Sequence, residues 1–167
     1  SILRDLPNSN VEDRTIALNE KYNTNAMSLC GDITHENEIE SISSKVFDEY
    51  GRIDGLVNNA ANNPKIESQS KKNFSRLENF TIDQWNKDIS VGLTGAFLCS
   101  KHFGYRISLN EMGGSIVNIS SDLGIIAPDQ RLYQNDWEEN DQQNVKPVSY
   151  SVVKSGIIGL TKYLSTY

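Results

Sequence analysis

The sequence predicts an α/β fold in which helices cover both faces of a parallel sheet. Segments with apolar residues at helical spacing alternate with short apolar segments along the 167 residues. This alternation is typical of βαβ units, in which a helix connects two parallel strands. The length is that of one domain, and 37% hydrophobic with 23% charged residues is ordinary for a globular protein with one core.

Four helices are predicted from apolar periodicity and from residues that favour helix ends. The first follows Asn10, the second ends at Gly51 as a C-terminal cap, and Thr81 can cap a long third helix. Pro147 opens the last helix, because proline is tolerated in a first helical turn. The periodic residues are Val11, Thr15, Leu18 and Tyr22; Ile39, Ile42, Val46, Phe47 and Tyr50; Ile82, Trp85, Ile89, Leu93 and Ala96; and Tyr150, Lys154 and Leu164.

Three short strands are predicted, at residues 26–30, 53–57 and 115–120. Gly113 and Gly114 break the chain before the third strand, and residues 62–80 are mostly polar and indicate a loop. Helix and strand therefore alternate from one end of the chain to the other.

Composition excludes several classes of function. A net charge of -6 argues against a nucleic-acid partner, since binding a phosphate backbone requires a basic surface. No apolar run approaches the length that spans a bilayer, so no membrane partner is expected. Cys30 and Cys99 lack metal or disulfide spacing and indicate reduced, core-type thiols and a cytoplasmic location. His35 and His102 are isolated, so no metal site is expected.

Tyr150 and Lys154 are the sharpest chemical signal in the chain. A separation of four residues places both side chains on one face of a helix, one turn apart. Such a pair is common by chance, and its alternative interpretation is an exposed helix pair. Its context favours chemistry, because one predicted strand ends at Ser120 and Ser121 and an earlier one runs into Asn58.

These motifs, taken in order, resemble the short-chain dehydrogenase/reductase family. They are the Asp32-Ile33 turn, the run Asn58-Asn59-Ala60-Ala61, the Ile119-Ser120-Ser121 strand end and the pair Tyr150 and Lys154. The resemblance implies a Rossmann-type doubly wound parallel sheet, of which residues 1–167 form an incomplete part. Residues 1–167 would form a single NAD(P)-binding domain that lacks its N-terminal glycine-rich βα unit and its C-terminal strands.

The resemblance also implies an NAD(P)-dependent oxidoreductase that moves a hydride between the nicotinamide and a hydroxyl or carbonyl group. Tyr150 would be the catalytic acid/base, and the Lys154 ammonium would stabilise its anion, since a free phenol is a weak acid at neutral pH. Tyr150 and Lys154 would also contact the cofactor, Lys154 by holding the nicotinamide ribose. Ser121 would hydrogen-bond the reacting substrate oxygen.

Four further residues match cofactor positions of the family. Asp32 and Ile33 would lie beside the adenine, and Asn58 and Ala60 beside the rest of the cofactor. Each position has a structural alternative: Asp32 also suits a turn before a helix, and Asn58 also suits stabilising the loop of the sheet. The sequence does not distinguish NAD from NADP.

The sequence departs from the family at two internal positions. Gly92 occupies the position of an asparagine whose carbonyl and backbone distortion hold a water in the proton relay, so backbone groups, another residue or a shorter relay would have to substitute. Residues 128–146 form an insertion between Ser121 and Tyr150, which suits either a solvated loop or a lid over the substrate.

A third departure is the lack of a glycine-rich phosphate-binding segment. In the strand order 3-2-1-4-5-6 the three predicted strands correspond to strands 3, 4 and 5. Two strands are therefore expected to be absent between the strand at residues 26–30 and the strand at residues 53–57, with residues missing before Ser1 and after Tyr167.

The leading functional hypothesis is an oxidoreductase acting on a small molecule, with a sugar derivative as a candidate. The insertion and the run from Lys146 to Gly156 are similar to bacterial members of surface-sugar and flagellin-modification pathways. The alternative is a catalytically silent protein of the same fold, acting as a binding or regulatory subunit. Ser151, Ser155 and Gly159 recur every four residues, which indicates a helix interface of a homodimer or homotetramer or, alternatively, packing within the subunit.

Overall fold

The computed structural model describes residues 2–5, 10–62, 75–134, 139 and 143–167. The chain divides into two compact units. One comprises Ser1–Leu56 and Leu98–Ser115, and the other comprises Val57–Phe97 and Ile116–Tyr167.

Helices and strands alternate as predicted. The strands are β1 (Ile2–Asp5), β2 (Met27–Cys30), β3 (Gly55–Asn58) and β4 (Ser115–Asn118). The helices are α1 (Val11–Tyr22), α2 (Glu36–Tyr50), α3 (Ile82–Ile89), α4 (Gly95–Ser108) and α5 (Val148–Leu164). Short 3-10 turns lie at Leu77–Asn79, Asp122–Gly124 and Gln130–Tyr133.

The predicted helix ends are confirmed at three positions. Gly51 follows α2 with a φ of 71°, a left-handed conformation that glycine adopts without steric cost, and its N–H bonds to the Phe47 carbonyl at 2.7 Å. The Thr81 side chain caps α3 by accepting a hydrogen bond from the Gln84 N–H at 3.2 Å. Pro147 immediately precedes α5.

The predicted third helix is longer and less regular than its apolar pattern indicates. Helix α3 continues into a π-helical turn, Ser90–Thr94, and then into α4, which ends at Ser108. A π-helical turn inserts one extra residue per turn and is frequent at functional sites. Gly92 lies in the middle of this turn and is buried.

The structure contains a strand that the sequence analysis missed. Strand β1 pairs with β2 in parallel, with Ile2 opposite Met27 and Asp5 opposite Cys30. The expectation that two strands are absent beside the strand at residues 26–30 is therefore wrong for its nearest neighbour. The error arose because Ile2 and Leu3 are followed by charged residues, so the segment has too few apolar residues to signal a strand.

Strands β3 and β4 form a second two-stranded pair. The Ser115 N–H donates to the Asp54 carbonyl at 3.0 Å, and the Ile119 N–H donates to the Asn58 carbonyl at 2.9 Å. Both partners advance by four residues between these bonds, so the pairing is parallel. Within the described residues β3 pairs with β4 alone.

Each unit buries its own apolar residues. The first unit buries Ile39 and Val46 of α2. The second has a core of Ala96, Val153 and Ile157, against which partly buried residues of the π-helical turn and α5 also pack. The expectation of two core-type thiols is confirmed for Cys99, which is buried, and wrong for Cys30, which is exposed at the end of β2; neither forms a disulfide.

Two further observations concern the described part of the chain. None of its helices combines the length and the apolar character required to cross a bilayer. Its His, Cys, Asp and Glu side chains also form no group of three or more that could hold a metal ion. Much of the loop predicted at residues 62–80 and part of the insertion at 128–146 lie outside the described residues.

We expect Thr81→Ala to lower the free energy of unfolding of the full-length protein by about 1 kcal/mol, because an N–H of the first turn of α3 loses its acceptor. Thr81→Ser keeps the hydroxyl and should leave stability close to normal. Urea unfolding midpoints at constant m-value measure both effects. Equal stability of the alanine and serine variants would contradict the capping role.

Candidate active site

Helix α5 carries the predicted dyad in its first two turns. The Lys154 side chain is buried, with the residue 7% exposed, and its Nζ donates a hydrogen bond to the Ile119 carbonyl at 2.6 Å. Tyr150 is half-buried, and the Lys154 Nζ lies 5.8 Å from its ring centroid. The two groups are therefore neighbours, and the burial of Lys154 argues against the alternative of an exposed helix pair.

A second ammonium group lies closer to the Tyr150 ring. The Lys146 Nζ is 3.7 Å from the ring centroid, a cation–π contact, and the Lys146 backbone N–H donates to Gln130 Oε1 at 2.8 Å. The sequence analysis placed Lys146 at the end of the insertion and assigned it no contact with Tyr150. Its position could not be inferred, because Lys146 precedes the helix and no periodicity relates it to Tyr150.

Ser121 follows β4 and begins the 3-10 turn Asp122–Gly124, which packs against α5. The adjacent Ser120 hydroxyl donates to the Lys154 carbonyl at 2.8 Å, and the Ser155 hydroxyl donates to the Gly124 carbonyl at 2.8 Å. A Cβ on Gly124 would lie 2.8 Å from backbone atoms of Lys154, so this turn requires a glycine to approach the helix. The structure thereby brings the residues around Ser121 and the helix of the dyad together.

The hydroxyl of Ser121 is engaged within its own turn. It donates to Asp122 Oδ1 at 2.7 Å and accepts from the Leu123 N–H at 3.2 Å. The hydrogen bond from Ser121 lowers the pKa of the Asp122 carboxyl below its ordinary value, and the Leu123 N–H lowers it further. Ser121 must therefore turn its proton away from Asp122 before it can donate to another oxygen.

Asn58 and Ala60 lie at and just beyond the end of β3. The Asn58 amide donates to Asn118 Oδ1 of β4 at 2.8 Å and to the Ala96 carbonyl at 3.4 Å. Asn118 in turn donates to the Thr161 hydroxyl of α5 at 2.9 Å. These bonds give Asn58 a structural role in joining β3, β4 and the helices, whereas Ala60 is exposed.

Asp32 and Ile33 belong to the other unit of the chain. Asp32 Oδ1 accepts from both the backbone N–H and the hydroxyl of Thr34, each at 2.8 Å, which is a turn before α2. The Asp32 N–H donates to Glu38 Oε2 at 2.7 Å, and this bond, followed by one from His35, lowers the pKa of the Glu38 carboxyl. Ile33 is half-buried.

A buried carboxylate near the dyad was not predicted from the sequence. Asp88 of α3 is 4% exposed and accepts hydrogen bonds from Asn62, Gln84 and Ser149 at 2.6, 2.7 and 2.5 Å. Ser149 directly precedes Tyr150. The only signal in the sequence was that Asp88 lies one helical turn before Gly92. An acidic residue at this position is equally consistent with an exposed site on the helix.

Gly92, Asp88, Tyr150 and Lys154 line one cavity of about 20 Å³, sufficient for one water. Ala61, Asn62, Lys146, Pro147, Ser149 and Val153 complete its walls. A Cβ on Gly92 would lie 2.5 Å from Val153 Cγ1, so α5 packs where a side chain at residue 92 would begin. The π-helical turn nevertheless preserves a backbone distortion at this position without an asparagine.

A larger, open cavity of about 390 Å³ shares Lys146 and Pro147 with the first. Most of its exposed lining is apolar and includes Leu77, Val145 and Val152, and the charged side chains of Arg76, Glu78 and Lys146 also border it. Its volume is within the range of small-molecule sites.

The family model of the short chain dehydrogenases matches residues 2–133. The match covers most of the chain, and the chain therefore belongs to the short-chain dehydrogenase family, as the motifs predicted. The matched region ends before Tyr150 and Lys154, so the roles of these two residues stay predictions.

Several curated proteins are similar to the chain. A 3-oxoacyl-(acyl-carrier-protein) reductase of Synechocystis sp. is 27% identical over 137 residues, 82% of this chain and 45% of the relative. An uncharacterized oxidoreductase of Bacillus subtilis is 30% identical over 165 residues, 98% of this chain and 50% of the relative. The post-translational flagellin modification protein A of Campylobacter coli is 26% identical over 165 residues, 99% of this chain and 60% of the relative.

The chain thus spans about half the length of the first two relatives. Among solved structures, levodione reductase superposes with a TM-score of 0.76 at 23% identity, covering 99% of this chain and 55% of that one. This likeness, together with the family match, confirms the predicted Rossmann-type α/β fold.

We expect Gly92→Ala to destabilise the full-length protein by about 1 to 3 kcal/mol, because its Cβ overlaps Val153. Adding Val153→Ala should recover part of this loss, which a double-mutant cycle of urea unfolding measures. The matched control is Asn86→Ala at an exposed position of α3; it should change stability by less than about 0.5 kcal/mol. Independent effects of the two substitutions would refute the close packing.

Proposed function

We propose that the protein transfers a hydride between NAD or NADP and a hydroxyl or carbonyl group of a small molecule. The observation that carries the proposal is the buried Lys154 ammonium, one helical turn from Tyr150 and beside the turn that begins at Ser121. An ammonium group is costly to bury, and the binding of a phenolate and a ribose would account for its retention.

The residues at this end of the site fit the nicotinamide half of the cofactor. An ammonium has three donors, and the Ile119 carbonyl accepts one of those of Lys154. The remaining N–H groups suit the ribose hydroxyls, and exposed Ala60 lies on the segment that follows β3. The cofactor, when bound, supplies or accepts the hydride. Asp32 and Ile33 are the proposed adenine contacts.

In this mechanism Tyr150 exchanges a proton with the substrate oxygen at its phenolic Oη. Positive charge from Lys154 stabilises the phenolate, and Lys146 on the ring face adds to it. Ser121 turns its hydroxyl proton from Asp122 towards the substrate oxygen and stabilises the charge that develops there.

The larger cavity is the proposed substrate site. Its mostly apolar lining would cover the ring faces of a sugar derivative, and its charged residues Arg76, Glu78 and Lys146 would bind the polar groups of that molecule. The similarity to the Campylobacter coli flagellin modification protein supports the same substrate class. Cys99 and Cys30 form no disulfide, which is in keeping with the cytoplasmic location that we propose.

The second candidate function is a catalytically silent binding or regulatory subunit. The observation in its favour is Gly92, where the family's asparagine is replaced and Val153 leaves no room for a side chain. The two candidates differ in one measurable property, since only an oxidoreductase changes nicotinamide absorbance when a substrate is added.

We expect Tyr150→Phe to abolish turnover in the full-length protein while leaving the cofactor affinity close to normal, because it removes only the phenolic hydroxyl, which is the proton donor. Lys154→Met should lower both turnover and cofactor affinity, because the ammonium acts on both. The measurements are the change in absorbance at the reduced nicotinamide band with NADH or NADPH, and dinucleotide affinity from fluorescence titration.

The control is Tyr163→Phe, which removes an exposed phenol from the same helix. It should leave both turnover and affinity unchanged. Substantial activity in Tyr150→Phe would exclude Tyr150 as the catalytic acid/base, and dinucleotide binding without turnover in the unmodified protein would favour the silent subunit.

We also propose that α5 forms part of a homodimer or homotetramer interface. Ser155 and Gly159 are exposed on this helix, and the open space at Gly159 would let a partner helix approach closely. Gly159→Trp should shift the full-length protein to smaller species in sedimentation velocity, whereas Glu20→Trp on the exposed surface of α1 should not. If the unmodified full-length protein sediments as a monomer, the proposed interface on α5 is wrong.

A further inference from the structure

The buried carboxylate of Asp88 makes three hydrogen bonds, all to neutral donors. Asn62 and Gln84 donate their amide groups to Oδ1, and the Ser149 hydroxyl donates to Oδ2. Burying a carboxylate is unfavourable unless its oxygens are well satisfied. The two oxygens are satisfied here by side chains from three places in the sequence, which makes Asp88 a junction of the second unit.

The three donors lie on segments with different tasks in the proposed function. Ser149 is in the first turn of α5 and directly precedes Tyr150. Asn62 follows Ala60 by two residues, on the segment after β3 that is proposed to contact the cofactor. Gln84 is one turn earlier on α3, the helix of Asp88 itself. Asp88 therefore links the catalytic turn and the cofactor segment to one rigid helix.

Asp88 also lies one helical turn before Gly92, and both residues line the small cavity beside Tyr150 and Lys154. Residue 92 has no side chain with which to anchor neighbouring groups. In this cavity the hydrogen bonds to neighbouring side chains are made instead by the carboxylate of Asp88.

We infer that Asp88 is a positioning residue, which holds Tyr150 through Ser149 and the cofactor segment through Asn62. This inference depends on the proposed function. The bond to Ser149 therefore affects turnover, and the bond to Asn62 affects cofactor affinity. The bond to Gln84 contributes only to folding.

The test compares one variant for each bond in the full-length protein. Ser149→Ala should lower kcat by roughly tenfold with an unchanged KM for the cofactor, because a small displacement of a catalytic group is costly. Asn62→Ala should raise the cofactor KM and the NADH dissociation constant by roughly fivefold with kcat little changed. Gln84→Leu, the matched control, removes a bond to the same carboxylate oxygen and should change neither.

Substitutions of Asp88 itself separate hydrogen bonding from charge. Asp88→Ala should impair both kcat and cofactor affinity. Asp88→Asn should stay within about threefold of the unmodified protein, because its carbonyl can accept from both amides and its NH₂ can donate to the Ser149 hydroxyl. Thermal melting of every variant identifies effects that come only from destabilisation.

Two results would overturn the inference. One is that Ser149→Ala and Asn62→Ala change only the melting temperature, as Gln84→Leu is expected to do. The other is that Asp88→Asn is as impaired as Asp88→Ala, which would assign the effect to charge. If the proposed function is wrong, the unmodified protein shows no turnover. In that case the NADH titrations of Asn62→Ala and Asp88→Ala still test whether Asp88 holds the cofactor segment through Asn62.

Discussion

The candidate site depends on the way in which Lys154 is tied to the end of β4. Its ammonium donates to the carbonyl of Ile119, and its own carbonyl accepts from the hydroxyl of the next residue, Ser120. These two bonds run in opposite directions between the same short segments, so neither the helix nor the strand end can shift without breaking both. A buried ammonium left without an acceptor would be strongly destabilising, and this penalty fixes the side of α5 that faces the site.

Small residues allow this attachment to be close. Gly124 lets the turn after Ser121 reach the backbone of Lys154, and Gly92 lets the π-helical turn reach Val153. Gly156 performs the same task against Leu93, where a Cβ would lie 2.9 Å from a methyl group. The same close packing that fixes α5 thus removes the space for a side chain at residue 92. The close approach of α5 therefore requires glycine, and not the family's asparagine, at residue 92.

Much of the secondary structure could be predicted because its signals are local. Gly51 and Thr81 act at helix ends through bonds to residues within four positions, and the apolar spacing of α2 and α5 reflects a single buried face. Strand β1 was missed because four residues with two charges carry no clear period. The same reason made one part of the candidate site predictable. Tyr150 and Lys154 are one turn apart on one helix, so their spacing alone predicted that they are neighbours.

The sequence by itself determined the family, the alternation of helices and strands and the pairing of Tyr150 with Lys154, since each of these depends on residues that are near one another in the chain or on motifs in a set order. Only the tertiary structure decided that Lys154 is buried, that Lys146 covers the Tyr150 ring and that Asp88 joins Asn62 to Ser149. Ser149 and Asp88 are separated by 61 positions in sequence. Lys146 is only four residues from Tyr150, but it precedes α5, so helical spacing does not place its side chain. The existence of these contacts depends on how closely the helices approach one another, and no local periodicity encodes that distance.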